Sequence, residues 1–110
     1  MREQKFRVWD KVDKRYYNNV DIEDIGRVLY LLNDYGHEYI IEQYTGLKDK
    51  NGKEIYENCE LDGRYRVEYI APKFVGKDII KGDIIELYDN KFTITKEHCE
   101  ISQNSERGIN

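Results

Sequence analysis

The chain has 110 residues, of which 18 are Lys or Arg and 22 are Asp or Glu, so that its net charge is −4. This length accommodates one domain and excludes large enzyme scaffolds such as a (β/α)₈ barrel. No apolar run approaches the ~20 residues of a membrane helix, and the acidic balance excludes a dedicated, strongly basic nucleic-acid binder.

The apolar residues indicate a fold class. Ile and Val together number 19 and Tyr numbers 10, against 6 Leu, one Met and one Ala. Disordered chains are poor in β-branched and aromatic residues, so a folded domain is expected despite the high charge. Because these residues suit the surface of a sheet, the composition predicts a mainly β domain, a compact small barrel or sandwich of antiparallel hairpins with little helix.

The N-terminal segment has the alternation of a β-hairpin. Polar and apolar residues alternate over residues 5–10, which is the period of a strand with one buried face. A polar connection over residues 10–14 leads to a second strand pattern over residues 15–20. The pattern therefore predicts an N-terminal hairpin.

The next segment is ambiguous between strand and helix. Residues 27–32 are an apolar run, residues 33–36 are a turn signal, and the strand pattern resumes over residues 38–45. Two strands forming a second hairpin are the favoured prediction. A single helix over residues 22–32 is the alternative, because short apolar runs do not separate the two.

The second half begins with the strongest turn signal of the chain, residues 46–52, which ends in Asn-Gly. Charged and apolar residues then alternate over residues 64–69, as in a half-buried strand. Residues 71–81, which contain the single Pro72, are predicted to be a loose connection. Residues 83–88 and 91–96 are predicted to form a hairpin across Asp89-Asn90.

An internal echo joins residues 52–61 to residues 76–85. Gly, Lys, an acidic residue and Ile recur in order, followed by a tight-turn residue, Asn58 or Gly82, and entry into a strand. Two similar corners of one barrel and a chance match are both open interpretations.

The sequence shows no constellation that predicts an enzyme, a metal or a cofactor. Cys59 and Cys99 are expected to be reduced thiols, because no export signal is visible at the N-terminus. With His37 and His98 they lack the spacing of a zinc site. Phosphate-binding loops and nucleophile elbows do not occur in the sequence. A non-catalytic, cytoplasmic protein is expected.

Basic and aromatic residues interleave in the N-terminal hairpin. Such residues bind phosphates and stack on bases in single-strand binders. Against this interpretation, the net charge of residues 1–20 is only +3, while residues 21–45 carry −5. The candidate nucleic-acid contacts are Lys5, Arg7, Lys11, Lys14, Arg15, Tyr16 and Tyr17.

Two blocks of the sequence resemble a known family. Phe-Arg-Val-Trp-Asp at residues 6–10 and the long block at residues 43–57 are similar to the YopX family of small phage and prophage proteins. At residues 56–61, where the family usually has Tyr-Glu-Gly-Asp-Ile-Val, this chain has Tyr-Glu-Asn-Cys-Glu-Leu, so the C-terminal half departs from the pattern. Residues 1–101 are expected to form the YopX-like β domain, and residues 102–110 a polar, disordered tail.

The resemblance implies a compact, mostly β fold and provides no catalytic residues to carry over. The shared positions are predicted to be structural: glycines in turns, a capping aspartate, and core or rim packing. These positions are Trp9, Asp10, Tyr44, Gly46, Leu47, Asp49, Gly52, Ile55 and Tyr56.

The predicted function is that of a phage or prophage accessory protein that acts through protein contacts. A homo-oligomer is expected, or binding to a host or phage protein, because exposed strand edges and abundant Tyr favour association. The alternative is a weak binder of single-stranded nucleic acid or RNA that uses the N-terminal hairpin.

Overall fold

A computed structural model describes residues 5–20 and 22–99. Among these residues it contains nine strands and one helix. The elements are β1 (Phe6–Asp10), β2 (Arg15–Val20), α1 (Ile22–Asp34), β3 (Tyr39–Lys48), β4 (Glu54–Tyr56), β5 (Glu60–Leu61), β6 (Tyr65–Ile70), β7 (Lys73–Asp78), β8 (Ile84–Glu86) and β9 (Ile94–Lys96). The predicted tail at residues 102–110 lies outside the described residues.

The strands form two curled antiparallel sheets, which confirms the mainly β prediction. The first sheet has the order β2-β1-β3-β4, and the second has the order β8-β7-β6-β5-β9. The predicted N-terminal hairpin is present: β1 pairs with β2, with Val8 opposite Tyr17.

The predicted second hairpin is wrong, and the helical alternative is correct. Residues 27–32 belong to α1, and β3 pairs with β1 instead, with Val8 opposite Ile41. Apolar side chains at positions 25, 28, 29 and 32 recur at helical spacing and face inward, with Leu32 only 3% exposed. The stripe begins at position 25, two residues before the apolar run, and its spacing follows the period of a helix, which is why a helix buries these side chains on one face.

Strand β3 serves two partners because it bends at Gly46. Its first half pairs with β1 and its second half with β4, and the register shifts between Tyr44 and Lys48. Gly46 has a φ of +90°, a conformation that is inexpensive for glycine alone. The predicted turn therefore begins later than expected, after β3 ends, and closes at Gly52, whose φ is +85°.

Two predictions for the second sheet are wrong. The segment expected to be a loose connection contains β7, which pairs along its whole length with β6. Strands β8 and β9 do not pair with each other but lie on opposite edges of the sheet. A Cβ on Gly76 of β7 would lie 3.1 Å from Ile85 and 3.2 Å from Leu87, so the missing side chain makes room for β8 to pack there.

The turn residues Asp89 and Asn90 bind β3 rather than linking two paired strands. The Asp89 carboxylate accepts a hydrogen bond from the Lys48 amide at 2.7 Å, and the Asn90 amide donates to the Lys48 carbonyl at 2.8 Å. These bonds anchor the chain as it crosses from one edge of the second sheet to the other.

The internal echo is a similarity of corners alone. Asn58 and Gly82 both have positive φ, +70° and +83°, and each precedes a strand, β5 or β8. Gly52 lies in a turn, whereas Gly76 lies within β7. The two segments therefore do not share one fold.

The core lies where the two sheets meet, and the sequence alternation predicts its β6 face correctly. Val67 points inward and is fully buried, whereas Arg66 and Glu68 form an ion pair of 2.8 Å on the other face. The buried cluster consists of Tyr44, Ile55, Tyr56, Cys59, Leu61, Val67 and Phe74.

Candidate functional site

A buried ion pair lies at the junction of the two sheets. Arg7 on β1 and Glu42 on β3 are paired across the strands, and Nε of Arg7 donates to Oε1 of Glu42 at 2.6 Å. Arg7 is 3% exposed and Glu42 is fully buried. Together with Tyr16, Asn58 and His98 they form what we name the Arg7–Glu42 cluster.

Four side chains satisfy the Glu42 carboxylate. Besides Arg7, it accepts hydrogen bonds from the Tyr16 hydroxyl at 2.9 Å and from Nδ2 of Asn58 at 2.7 Å, and Nδ1 of His98 lies 3.0 Å away. Burial raises the pKa of Glu42, but the bonds from His98, Arg7 and Asn58 outweigh it, so that the net shift is downward. The carboxylate is therefore held ionised inside the protein.

The Arg7 guanidinium is held as firmly as its partner. Its Cζ lies 4.0 Å from the ring centroid of Tyr16 and 4.6 Å from that of Tyr56. Burial lowers the pKa of Arg7, but the Glu42 carboxylate reverses this effect and the net shift is upward. Arg7 is thus a fixed positive charge within a largely aromatic setting.

The cluster also holds the chain that follows β9. Nη2 of Arg7 donates to the Glu97 carbonyl at 2.6 Å, and the His98 ring stacks on Trp9 with centroids 4.2 Å apart. One residue later, Nε of Arg66 donates to the Cys99 carbonyl at 2.8 Å. The buried charges therefore join both sheets to the end of the described chain.

A second feature is the outer side of α1, which carries exposed apolar residues. Leu31 is 48% exposed and Tyr35 is 72% exposed. Arg27 and Asp34 are exposed beside them. We name these four residues the α1 stripe, because a rotation of 100° per residue places positions 27, 31, 34 and 35 on one side of the helix.

The α1 helix covers only part of the first sheet. It packs against β1 and β2, where Val8 is fully buried. On β3, Ile41 lies directly opposite Val8, so that its side chain is on the same face of the sheet, yet it is 41% exposed. Apolar surface is therefore left open on both the helix and the neighbouring strand.

The structure buries some of the predicted nucleic-acid contacts and leaves others exposed. Arg7 is buried in an ion pair, which corrects its prediction as a surface contact, and the Tyr16 hydroxyl binds Glu42. Lys14 remains exposed at the hairpin turn, beside Arg15 and Tyr17, whose Nη2 and hydroxyl lie 3.1 Å apart. The hairpin does not present one continuous basic and aromatic face.

Two further lysines from that set meet acidic partners. Lys5 forms an ion pair of 2.5 Å with Glu54, and Lys11 lies 3.7 Å from Glu38. Arg7 and Lys11 of the basic first segment therefore pair with Glu42 and Glu38 of the acidic second segment, whereas the partner of Lys5 lies on β4.

The family-motif residues have varied positions. Asp10 is fully buried and accepts hydrogen bonds from the amides of Val12 and Asp13, while Asp49 accepts from those of Asn51, Lys53 and Ile94. Tyr44, Ile55 and Tyr56 are core residues, Leu47 packs on the core, Trp9 is half-buried, and Gly46 and Gly52 have positive φ.

A group of potential metal ligands occurs at a place that sequence reasoning did not consider. Within residues 5–20 and 22–99, Asp10, Asp13 and His37 have ligand atoms close together. The Asp10 carboxylate is already engaged by two amides and by Nδ1 of His37 at 2.9 Å. These bonds account for the arrangement as a cap of the β1–β2 turn.

Sequence reasoning also missed Glu42 and Asn58. The signal for Glu42 is present: positions 40, 42 and 44 alternate onto the inward face, so a glutamate there needs a buried partner.

No helix of the described residues is long and apolar enough to span a membrane.

The fold and the cluster define a small, mainly β protein in which two curled sheets and one helix enclose a buried ion pair. The YopX protein family model matches residues 5–109, and the chain therefore belongs to the YopX family, a phage-type family of uncharacterised function. The match continues through the half in which we predicted a departure from the family pattern. No curated protein matches the chain.

Proposed function

We propose that this YopX-family protein is a non-catalytic phage or prophage accessory protein that acts through protein contacts, the first of which is with a second copy of itself. The observation that carries the proposal is the α1 stripe, where Leu31 and Tyr35 are exposed to solvent; Ile41 on β3 is exposed as well. Removing such surface from water favours association and offsets part of the freedom that two molecules lose on binding.

The α1 stripe is complementary to itself. In an antiparallel two-fold packing centred on Leu31, position 27 of one helix faces position 35 of the other. Arg27, whose side chain is 76% exposed and lies 3.4 Å from Asp24 of its own helix, is then placed beside the Tyr35 ring and the Asp34 carboxylate of the second copy, and exchange of this exposed ion pair costs little. A stripe with Leu31 at its centre, Arg27 towards one end, and Asp34 and Tyr35 towards the other favours a second copy over an unrelated partner.

The state of the two cysteines supports a non-catalytic role. Burial raises the pKa of the Cys59 thiol, and it also raises the pKa of Cys99. Because the thiolate is the nucleophilic form, the raised pKa favours the less reactive thiol form of both side chains. Cys59 lies in the core cluster, where packing accounts for its presence.

Size-exclusion chromatography with light scattering over a wide range of protein concentration tests the proposal. The wild-type chain is expected to shift from monomer to dimer, and Leu31→Glu to remain monomeric. Asn33→Glu is the matched control, because it adds the same charge to an exposed position about 200° away around α1. A wild-type chain that is monomeric at every concentration, or equal weakening by both variants, contradicts the proposal.

A further inference from the structure

A cavity of about 290 Å³ opens beside the Arg7–Glu42 cluster, between β4 and the chain around β9. Tyr56 and Ile94 provide apolar wall, while Lys53 lies at the exposed side. Arg7 lines the buried side, although its side chain is only 4% exposed. A buried cation thus borders a space of small-ligand size.

One edge of the Arg7 guanidinium remains available to this cavity. Nε donates a hydrogen bond to Glu42. Nη2 donates to the Glu97 and Glu57 carbonyls and to the Cys59 sulfur. The rings of Tyr16 and Tyr56 cover the planar group. Among the described residues, none accepts a hydrogen bond from Nη1, so this is the nitrogen that Arg7, a residue of the cavity wall, has left to bind a ligand.

Lys53 provides a second cation at the rim. Its Nζ lies 3.0 Å from Oε2 of Glu97, and the two side chains are 56% and 55% exposed. An ion pair this exposed contributes little to stability, so Lys53 is able to exchange Glu97 for an incoming anion. Glu54, the other carboxylate on the cavity wall, is already neutralised by Lys5.

We propose that this cavity binds a small organic oxyanion, a carboxylate or a phosphate monoester, through Nη1 of Arg7 and Nζ of Lys53. A planar guanidinium edge and a mobile ammonium are the donors that such oxygens select. Tyr56 and Ile94 favour an organic group behind the anion, and the volume limits it to about the size of one aromatic ring.

Calorimetric titration of the full chain with benzoate and with phenyl phosphate tests the proposal, with benzyl alcohol as the neutral control. The two anions distinguish a carboxylate site from a phosphate site. At least one anion is expected to bind saturably while benzyl alcohol does not. Failure of both anions to bind, or equal binding of the alcohol, overturns the proposal.

Variants locate the binding. Lys53→Gln is expected to weaken the anion about tenfold, as the loss of one charge-assisted hydrogen bond does. Lys50→Gln removes the same charge from the same turn, outside the cavity wall, and is expected to bind like the wild type. Equal weakening by both variants indicates non-specific attraction and overturns the proposal.

A second readout does not depend on variants that disturb the cluster. Two-dimensional NMR of the wild-type chain is expected to show the largest ligand-induced shifts at the Arg7 side chain and at the Ile94 and Lys53 amides. Shifts concentrated at the exposed hairpin turn around Lys14 instead place the anion elsewhere and contradict the proposed site.

Discussion

Arg7 and Glu42 face each other across β1 and β3 with their charged groups 2.6 Å apart, and both side chains are withdrawn from water. Desolvating two charges is costly, so such a pair is stable only when further hydrogen bonds satisfy its atoms. Tyr16, Asn58 and His98 provide those bonds, and they come from three separate parts of the chain. The pair therefore fixes how the sheets join.

Removing one member of this pair leaves the other charge buried alone. Arg7→Met and Glu42→Leu are each expected to lower the free energy of unfolding by about 3–5 kcal/mol, a large part of the stability of a small domain. Urea unfolding followed by circular dichroism measures the loss. A change below about 1 kcal/mol in either variant, the size typical of an exposed pair, contradicts the account of the cluster.

The cluster also predicts acid sensitivity. The pKa of Glu42 is lower in the folded chain than its ordinary 4.5, so the unfolded chain binds the proton more readily. The stabilisation is present above pH 4.5 and is lost as the pH falls through the folded pKa. The lowered pKa values of Asp10 and Asp49 act in the same direction, whereas the raised pKa of Glu57 opposes them.

Urea unfolding at a series of pH values tests this linkage. Trp9, the single tryptophan, stacks on His98 and reports the cluster by fluorescence. The free energy of unfolding is expected to decline more steeply below pH 4.5 in the wild type than in Glu42→Gln. Glu38→Gln, which removes an exposed carboxylate, is the control and should retain the wild-type slope. Identical slopes in the wild type and Glu42→Gln disprove the prediction.

Two glycines offer a matched test of the backbone. Gly46 has a φ of +90° at the bend of β3, and Gly46→Ala is expected to destabilise the fold by about 1–2 kcal/mol. Gly26 lies inside α1, where an added Cβ meets nothing within 4 Å, and Gly26→Ala is expected to stabilise by about 0.5–1 kcal/mol. Thermal unfolding reports both signs, and a destabilising Gly26→Ala speaks against the helix.

The alternative function, single-strand binding, gives a clear negative expectation. With Arg7 buried and Lys5 and Lys11 next to carboxylates, labelled oligonucleotides are expected to show no saturable binding at low salt. Affinity that falls steeply with salt, and that Lys11→Glu and Arg15→Glu abolish, supports the nucleic-acid function instead.

The sequence predicted local structure better than pairing. The alternation around Trp9 and Val67 has a fixed period and correctly predicted β1 and β6. By contrast, β8 and β9 are three residues each, and their partners depend on distant features such as the space above Gly76. Strand pairing across the chain is a tertiary property that a local turn signal such as Asp89-Asn90 does not determine.

In the candidate site too, the sequence predicted local features better than long-range contacts. The sequence pattern identifies Arg7 and Tyr16 as basic and aromatic residues of the N-terminal hairpin. It predicts a surface role for them because their partners are remote in sequence. Glu42 lies 35 positions after Arg7, and Asn58 and His98 lie 42 and 82 positions after Tyr16. No local sequence pattern links residues this far apart. The exposed side of α1 was missed since the apolar run at residues 27–32 was predicted to be a strand.

The measurement that tests the central claim most directly is sedimentation velocity of the wild-type chain, Leu31→Glu and Asn33→Glu at matched concentrations. If the protein works by associating through the α1 stripe, the wild type and Asn33→Glu sediment as concentration-dependent dimers and Leu31→Glu sediments as a monomer. A wild type that stays monomeric throughout, or a Leu31→Glu variant that dimerises as strongly as the wild type, contradicts the account.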